Sequence, residues 1–323
     1  MRRSQLVGGL TKRLPRVSGA LLEGPVGSLR SLVKPHHPYE VGELESEGLH
    51  LYYEVHGAGP RLLVFTHGVL LDSRMNRRLA SDLAERGFRV ALLDLPGHGR
   101  SDKPRHASAH RMDSYARHVV NLIDALGVDQ AAVGGVSLGA NVSLQAAVMA
   151  PERVRALVVE MPVLEWAVPG AALVFLPLLL GVHYAAPAVR QVARLARHFP
   201  ETGFGSLDSA LAVLRYEPEE AAAVLHGMLV GPITPTYEQR HAITAPTLVV
   251  GHKIDLIHPF TDADHLTRQL PDARLLEAHS ILELRTAPAR LTEQIADFLA
   301  DAFGPWKLRR SGPSPNDGLA GNG

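Results

Sequence analysis

Five residues, Gly135-Val136-Ser137-Leu138-Gly139, set a serine between the apolar run QAAVGGVS and the helix-like run LGANVSLQAAVMA. A serine raised out of a strand on a sharp turn takes a strained backbone, and side chains two residues before and after it would collide. Glycines at 135 and 139 remove that collision. The helix opening at Leu138 turns unpaired backbone N–H groups toward whatever Ser137 binds, which stabilises negative charge developing there. A plain strand-to-helix joint tolerates bulkier residues, so the pattern reads as a nucleophile. A serine hydroxyl attacks well only when a neighbouring base takes its proton, and the base works best when a carboxylate fixes its tautomer. The chain holds 17 histidines, so residue type alone does not select the base.

The elements that must position these groups alternate along the chain. HLYYEVHGAGPRLLVFTHG supplies two β-rich runs, Leu51 to Val55 and Arg61 to Thr66, about a Gly-Ala-Gly-Pro turn. SRMNRRLASDLAERG reads as a helix, FRVALLDL as a strand, and DSYARHVVNLIDALG as a helix with Ala116, Val119, Ile123 and Leu126 on one face. RALVVEM, APTLVVG and ARLLEA are further strands, and APARLTEQIADFLADAF is a closing amphipathic helix. Strands this apolar, alternating with helices, predict a mostly parallel sheet covered on both faces. The alternation breaks after Pro162 and resumes near Ala245, leaving far more chain than a connection needs, so a helical lid (cap) insertion is expected. Its first part, AVPGAALVFLPLLLGV, is almost wholly apolar but short for a membrane span and interrupted by Pro169 and Pro177. The expected domains are a basic N-terminal segment (1–40), a core (41–161 and 241–306), the lid (162–240) and a disordered C-terminal tail (307–323).

Composition narrows the function class. With 33 basic and 33 acidic residues and 5% aromatics, the chain offers neither the charge nor the stacking platform of a nucleic-acid binder. It has no cysteine, which excludes disulfides, thiolate zinc sites, iron–sulfur clusters and thiol catalysis. Residues 1–34 carry seven Lys and Arg against Glu23 alone, a net +6, and this segment is expected to touch a membrane surface weakly at most. No continuous apolar block follows those charges before residue 40, so no secretory signal is read, and the chain is expected in the cytoplasm or at the membrane periphery.

Three motifs in order, FTHGVLLDS, LDLPGHGRSDKP and GGVSLGA, resemble those of the α/β-hydrolase superfamily in its lid-bearing esterase and lipase branch, over about Leu51 to Phe303. The resemblance implies an α/β-hydrolase fold with Ser137 as nucleophile and the backbone N–H groups of Val69 and Leu138 as the oxyanion hole. It makes His67 and Gly68 shapers of that hole, and gives His98 and Asp94 a loop-supporting role. It implies His279, after the strand ARLLEA, as the base, and Asp255, in PTLVVGHKIDLIHP, as the acid. Glu160 occupies an acid position that some relatives use, and Glu283 is close to His279 in sequence. The chain departs from the pattern around the base: the usual Gly-His is Ala278-His279, followed by the less familiar ILELRTAP. His252 and His258 flank Asp255, but two histidines six apart without a convergent third ligand are weak evidence for metal, so neither metal nor cofactor is expected.

A serine at the elbow argues against dehalogenases and epoxide hydrolases, which the resemblance gives an aspartate there. The expected activity is hydrolysis of a carboxylic ester of a small or lipid-like apolar substrate through an acyl-enzyme. Carbon–carbon bond hydrolysis, acyl transfer and cofactor-free perhydrolysis would use the same triad. A non-catalytic ligand-binding protein on the same fold is the alternative from another class.

Overall fold

The structure is a computed structural model and describes residues 38–304 except 230, 254 and 256. The basic N-terminal segment and the C-terminal tail lie outside the described residues, apart from the few positions at 38–40. Eight strands, β1 Tyr39–Ser46, β2 Leu49–His56, β3 Leu62–Thr66, β4 Arg89–Leu93, β5 Ala131–Val136, β6 Val154–Glu160, β7 Thr247–His252 and β8 Ala273–Ala278, form one sheet in the order β1-β2-β4-β3-β5-β6-β7-β8. The β1–β2 and β2–β4 pairs are antiparallel and every other pair is parallel. The helices are α1 Arg77–Ala84, α2 Met112–Ala125, α3 Leu138–Met149, α4 Val168–Tyr184, α5 Ala186–Ala196, α6 Gly205–Ala212, α7 Pro218–Leu229, α8 Tyr237–His241, α9 Phe260–Gln269, α10 Glu283–Thr286 and α11 Ala289–Phe303.

The central strands β3 (LLVFT) and β5 (AAVGGV) are buried at every residue, which is why they read as continuous apolar runs rather than alternating ones. Alternate residues feed two cores. Val64, Leu93 and Val133 pack with Tyr115, Val119 and Ile123 of α2 and Leu144 of α3 on one face. Phe65, Val90 and Val158 pack with Leu79 and Leu83 of α1 and Ile295 and Leu299 of α11 on the other. Burying both faces leaves the C-terminal ends of the parallel strands as the place where loops can gather. Strand β1 was not foreseen, because YEVGELES is rich in glutamate and lacks the apolar alternation of a half-buried strand. It forms as an edge strand, pairing only with β2, where its glutamates reach solvent.

Between β6 and β7 the chain adds α4 to α8. Buried Asp262, in the first turn of α9, ties down the start of this insertion by accepting the backbone N–H groups of Leu164 (2.7 Å), Trp166 (3.1 Å) and Ala167 (2.9 Å). Asn141 of α3 does the same from the other side, donating to the carbonyls of Val163 (2.8 Å) and Ile233 (3.0 Å). Val182 of α4, with Phe175 and Leu179 beside it, packs against Leu70 and against Val224 and Leu225 of α7.

Candidate active site

Ser137 joins β5 to α3 with φ 55° and ψ −109°, a backbone conformation that costs a non-glycine residue of order 1–3 kcal/mol and persists only where its surroundings impose it. Here they do. A Cβ on Gly135 would sit 2.5 Å from the Gly139 carbonyl carbon, and one on Gly139 would sit 2.5 Å from Thr66 Oγ1 and 2.6 Å from Thr66 O. Both glycines are thus required by close approach of β3, the elbow and α3. The Ser137 N–H donates to Glu160 O of β6 at 2.8 Å, which fixes the turn above the sheet.

The imidazole at Ser137 belongs to His258. Ser137 Oγ is 2.8 Å from His258 Nε2, and His258 Nδ1 is 2.9 Å from Asp255 Oδ2. An ionised carboxylate only accepts, so Nδ1 carries the proton and donates to Asp255, leaving Nε2 to accept from the Ser137 hydroxyl. Asp255 Oδ1 accepts the backbone N–H groups of Ile257 (2.8 Å) and His258 (3.0 Å), a tight side-chain turn that folds the loop after β7 back over β5. Burial would raise the Asp255 pKa, but the hydrogen bond and charge of His258 and these two N–H donors outweigh it and hold the carboxyl at about 2.

His279 is not in this relay, and the expectation that it partners Ser137 is corrected. Its side chain is 73% exposed and its ionic partner is Glu283, at 3.7 Å. The loop after β8 explains the displacement: the His279 backbone N–H donates to Glu283 Oε2 at 2.6 Å, and the next carbonyl, Ser280 O, accepts from His252 Nδ1 at 2.8 Å. Those two bonds hold the loop down at β7 and α10 and turn the His279 ring outward. The less familiar ILELRTAP segment is the available signal that this loop is unusual. His258 was within view as a neighbour of Asp255, at a spacing that suits a local carboxylate–imidazole pair.

Glu160 also stands apart from the relay. Its buried carboxylate accepts from Arg285 Nη2 at 2.8 Å and lies 3.5 Å from His252 Nε2. Burial alone would raise its pKa, yet the facing Arg285 and His252 bring it below the usual carboxylate range. Glu283 is engaged with the His279 backbone and with Arg290. His252 and His258 therefore face different partners, and among the described residues no group of three His, Cys, Asp or Glu side chains is placed to hold a metal ion.

The loop after β3 supplies the opposite wall. The Leu95 N–H donates to His67 Nε2 at 3.1 Å, so the His67 proton is on Nδ1, which donates to Gly68 O at 2.8 Å. Gly68 O also accepts from the Leu71 N–H at 3.1 Å across a turn in which Leu70 takes φ 59°. A Cβ on Gly68 would lie 4.0 Å from Ser137 Cβ, so this loop abuts Ser137 and carries Val69 to the same cavity. Leu138 opens α3, and its N–H belongs to the first turn, which has no intrahelical acceptor. Asp94 and His98 hold their own loop: Asp94 accepts from the Ser73 and Arg100 N–H groups, and His98 Nδ1 bonds Pro96 O.

Ser137 and His258 open on a cavity of about 360 Å³ whose walls include Leu71, Met75, Met161, Val174, Phe175 and Ile257. Arg285 is the charged exception in its lining, with one side engaged by Glu160.

The family model for the alpha/beta hydrolase fold matches residues 61–278. An epoxide hydrolase of Caballeronia sordidicola is 33% identical over 115 residues, which is 36% of this chain and 35% of the relative. The pimeloyl-[acyl-carrier protein] methyl ester esterase of Nitrosomonas europaea is 27% identical over 241 residues, 70% of this chain and 89% of the relative. The enol-lactonase from Burkholderia xenovorans LB400 shares the fold, with a TM-score of 0.63 and 20% identity over 80% of this chain and 99% of that one. The chain spans only 35% to 44% of the length of the first four relatives it matches.

Proposed function

The chain belongs to the alpha/beta hydrolase fold family, and from that premise we propose that it is a serine hydrolase that cleaves carboxylic esters of apolar substrates through an acyl-enzyme, with Ser137 as nucleophile, His258 as base and Asp255 as acid. The observation that carries this reading is the unbroken hydrogen-bonded line from Ser137 Oγ through the His258 ring to Asp255. Ser137 Oγ attacks the ester carbonyl carbon while its proton passes to His258 Nε2, and Asp255 stabilises the imidazolium that results. The carbonyl oxygen becomes an oxyanion beside the N–H groups of Val69 and Leu138, a single such donor being worth roughly a hundred- to a thousandfold in rate. Collapse breaks the carbon–oxygen bond, the leaving alkoxide takes the proton from Nε2, and the acyl group stays on Ser137. Water then attacks the acyl carbon, giving its proton to Nε2, and the acid departs as Ser137 recovers its hydrogen.

The apolar walls of the cavity support an acyl or alkyl group without charge. The helices between β6 and β7 act in this reading as a lid, since Val174 and Phe175 of α4 and Ala210 of α6 form part of those walls. The test is a fluorophosphonate probe together with a panel of esters of graded chain length. Wild-type protein is expected to be labelled at Ser137 and to turn over the longer esters faster, and Ser137→Ala to lose both properties. Ester turnover that survives Ser137→Ala would end the proposal.

A further inference from the structure

Helix α4 is apolar on the side it should show to water. From Ala167 to Val182 the sequence has no charged residue, and Phe175, Leu179 and Val182 already account for the face that packs on the rest of the protein. The opposite face carries Leu173, Leu176 and Leu180, with Leu173 67% exposed and Leu176 53% exposed. A surface helix of a globular protein is polar on its outer face, and one that is apolar all round is normally enclosed by protein or by lipid. The ends of α4 are marked by Trp166, 64% exposed, and Tyr184, 78% exposed, aromatic residues that settle where hydrocarbon meets headgroups. Among the described residues no single helix is long and apolar enough to cross a membrane, and α4 breaks from α5 at an angle of 97°. Helix α5 and the turn after it also expose Val192, Leu195 and Phe199, and Arg194, exposed beside them in sequence, offers a cation for a lipid phosphate.

We propose that the outer face of α4, with the exposed apolar residues of α5, docks on a lipid bilayer surface, the helix lying in the plane of the interface. A bilayer suits this face better than a protein because the exposed leucines offer no hydrogen-bonding group, whereas protein interfaces carry about one hydrogen bond per 100–200 Å². The patch is also continuous with the catalytic cavity: Val174, Ile281 and Leu282 are both exposed and part of its lining. Docking therefore sets the cavity mouth against the membrane, where an apolar ester partitions. Membrane docking goes beyond the hydrolase reading and does not depend on it, because binding is measured without turnover.

The experiment uses the full chain with mixed phosphatidylcholine and phosphatidylglycerol vesicles at high salt, which screens attraction by the basic N-terminal segment. Wild-type protein is expected to float with the vesicles, and Leu173→Gln/Leu176→Gln/Leu180→Gln to lower the bound fraction about tenfold or more while its thermal melt is kept. In a Trp306→Phe variant, Trp166 is the remaining tryptophan. Its emission is expected to shift to the blue on vesicles and to be quenched by brominated lipids. The proposal is overturned if the triple variant floats as well as wild type, or if Trp166 emission is unchanged by vesicles. It is equally overturned if the wild-type chain ignores vesicles but sediments as a dimer that the triple variant dissolves, because a second copy is then the occupant.

Discussion

Replacing His258 by Ala removes the imidazole that accepts the Ser137 proton at 2.8 Å and holds Asp255 at 2.9 Å. A positioned general base is worth about 10²–10⁴-fold in rate, and each tenfold is about 1.4 kcal/mol of barrier, so kcat/KM for an activated ester should fall by that factor, about 3–5.5 kcal/mol. His279→Ala is the matched control. That side chain is 73% exposed and 3.7 Å from its ionic partner, so its loss removes at most a surface pair, and kcat/KM should stay within about twofold. The assay is steady-state hydrolysis of a p-nitrophenyl ester near neutral pH, with circular dichroism melts to show that both variants are folded. Labelling of Ser137 by a fluorophosphonate gives a second readout, expected slow in His258→Ala and of wild-type speed in His279→Ala. The reverse pattern, a collapse in His279→Ala with activity kept in His258→Ala, would refute the assignment of the base and return it to the loop after β8.

Two further outcomes follow from the charges around the site. Asp255 is held at about 2, below the roughly 3.9 of an unstructured aspartate, so the native state binds fewer protons than the unfolded one between those values. The stabilisation from the Asp255–His258 pair is then complete above about pH 4 and lost as pH falls toward 2. The difference in urea-unfolding free energy between wild type and Asp255→Asn should shrink over that window, and a gap independent of pH would contradict the pairing. Arg285→Met removes the permanent positive charge beside the fully buried Glu160 carboxylate, leaving it only His252 at 3.5 Å, and should destabilise the protein by about 3–5 kcal/mol. Urea unfolding of Glu160→Gln/Arg285→Met should recover most of that loss, because no buried charge then lacks its partner.

Much of the architecture is legible in the sequence because it is local. Continuous apolar runs such as LLVFT and AAVGGV mark strands buried on both faces, and the three- and four-residue recurrence in α2 marks its inner face. The glycines at 135 and 139 announce the elbow because steric crowding at a turn depends on residues two positions away, and the same glycines are the ones pressed against Thr66 and each other. The uncharged stretch from 167 to 182 is equally plain, but sequence says only that it is apolar. Whether its outer face is covered depends on how α4 sits against α7.

Which histidine meets Ser137 is decided by the tertiary structure alone. The two residues are 121 positions apart, and no spacing rule connects them. His258 arrives because Asp255 bends its own loop through two backbone hydrogen bonds, and His279 is turned away because Glu283 and His252 secure the loop that carries it. Residue types and short spacings encode what a segment prefers to form. The meeting of side chains from separate segments is set by loop hydrogen bonds and packing, whose geometry exists only once the sheet has brought the strand ends together.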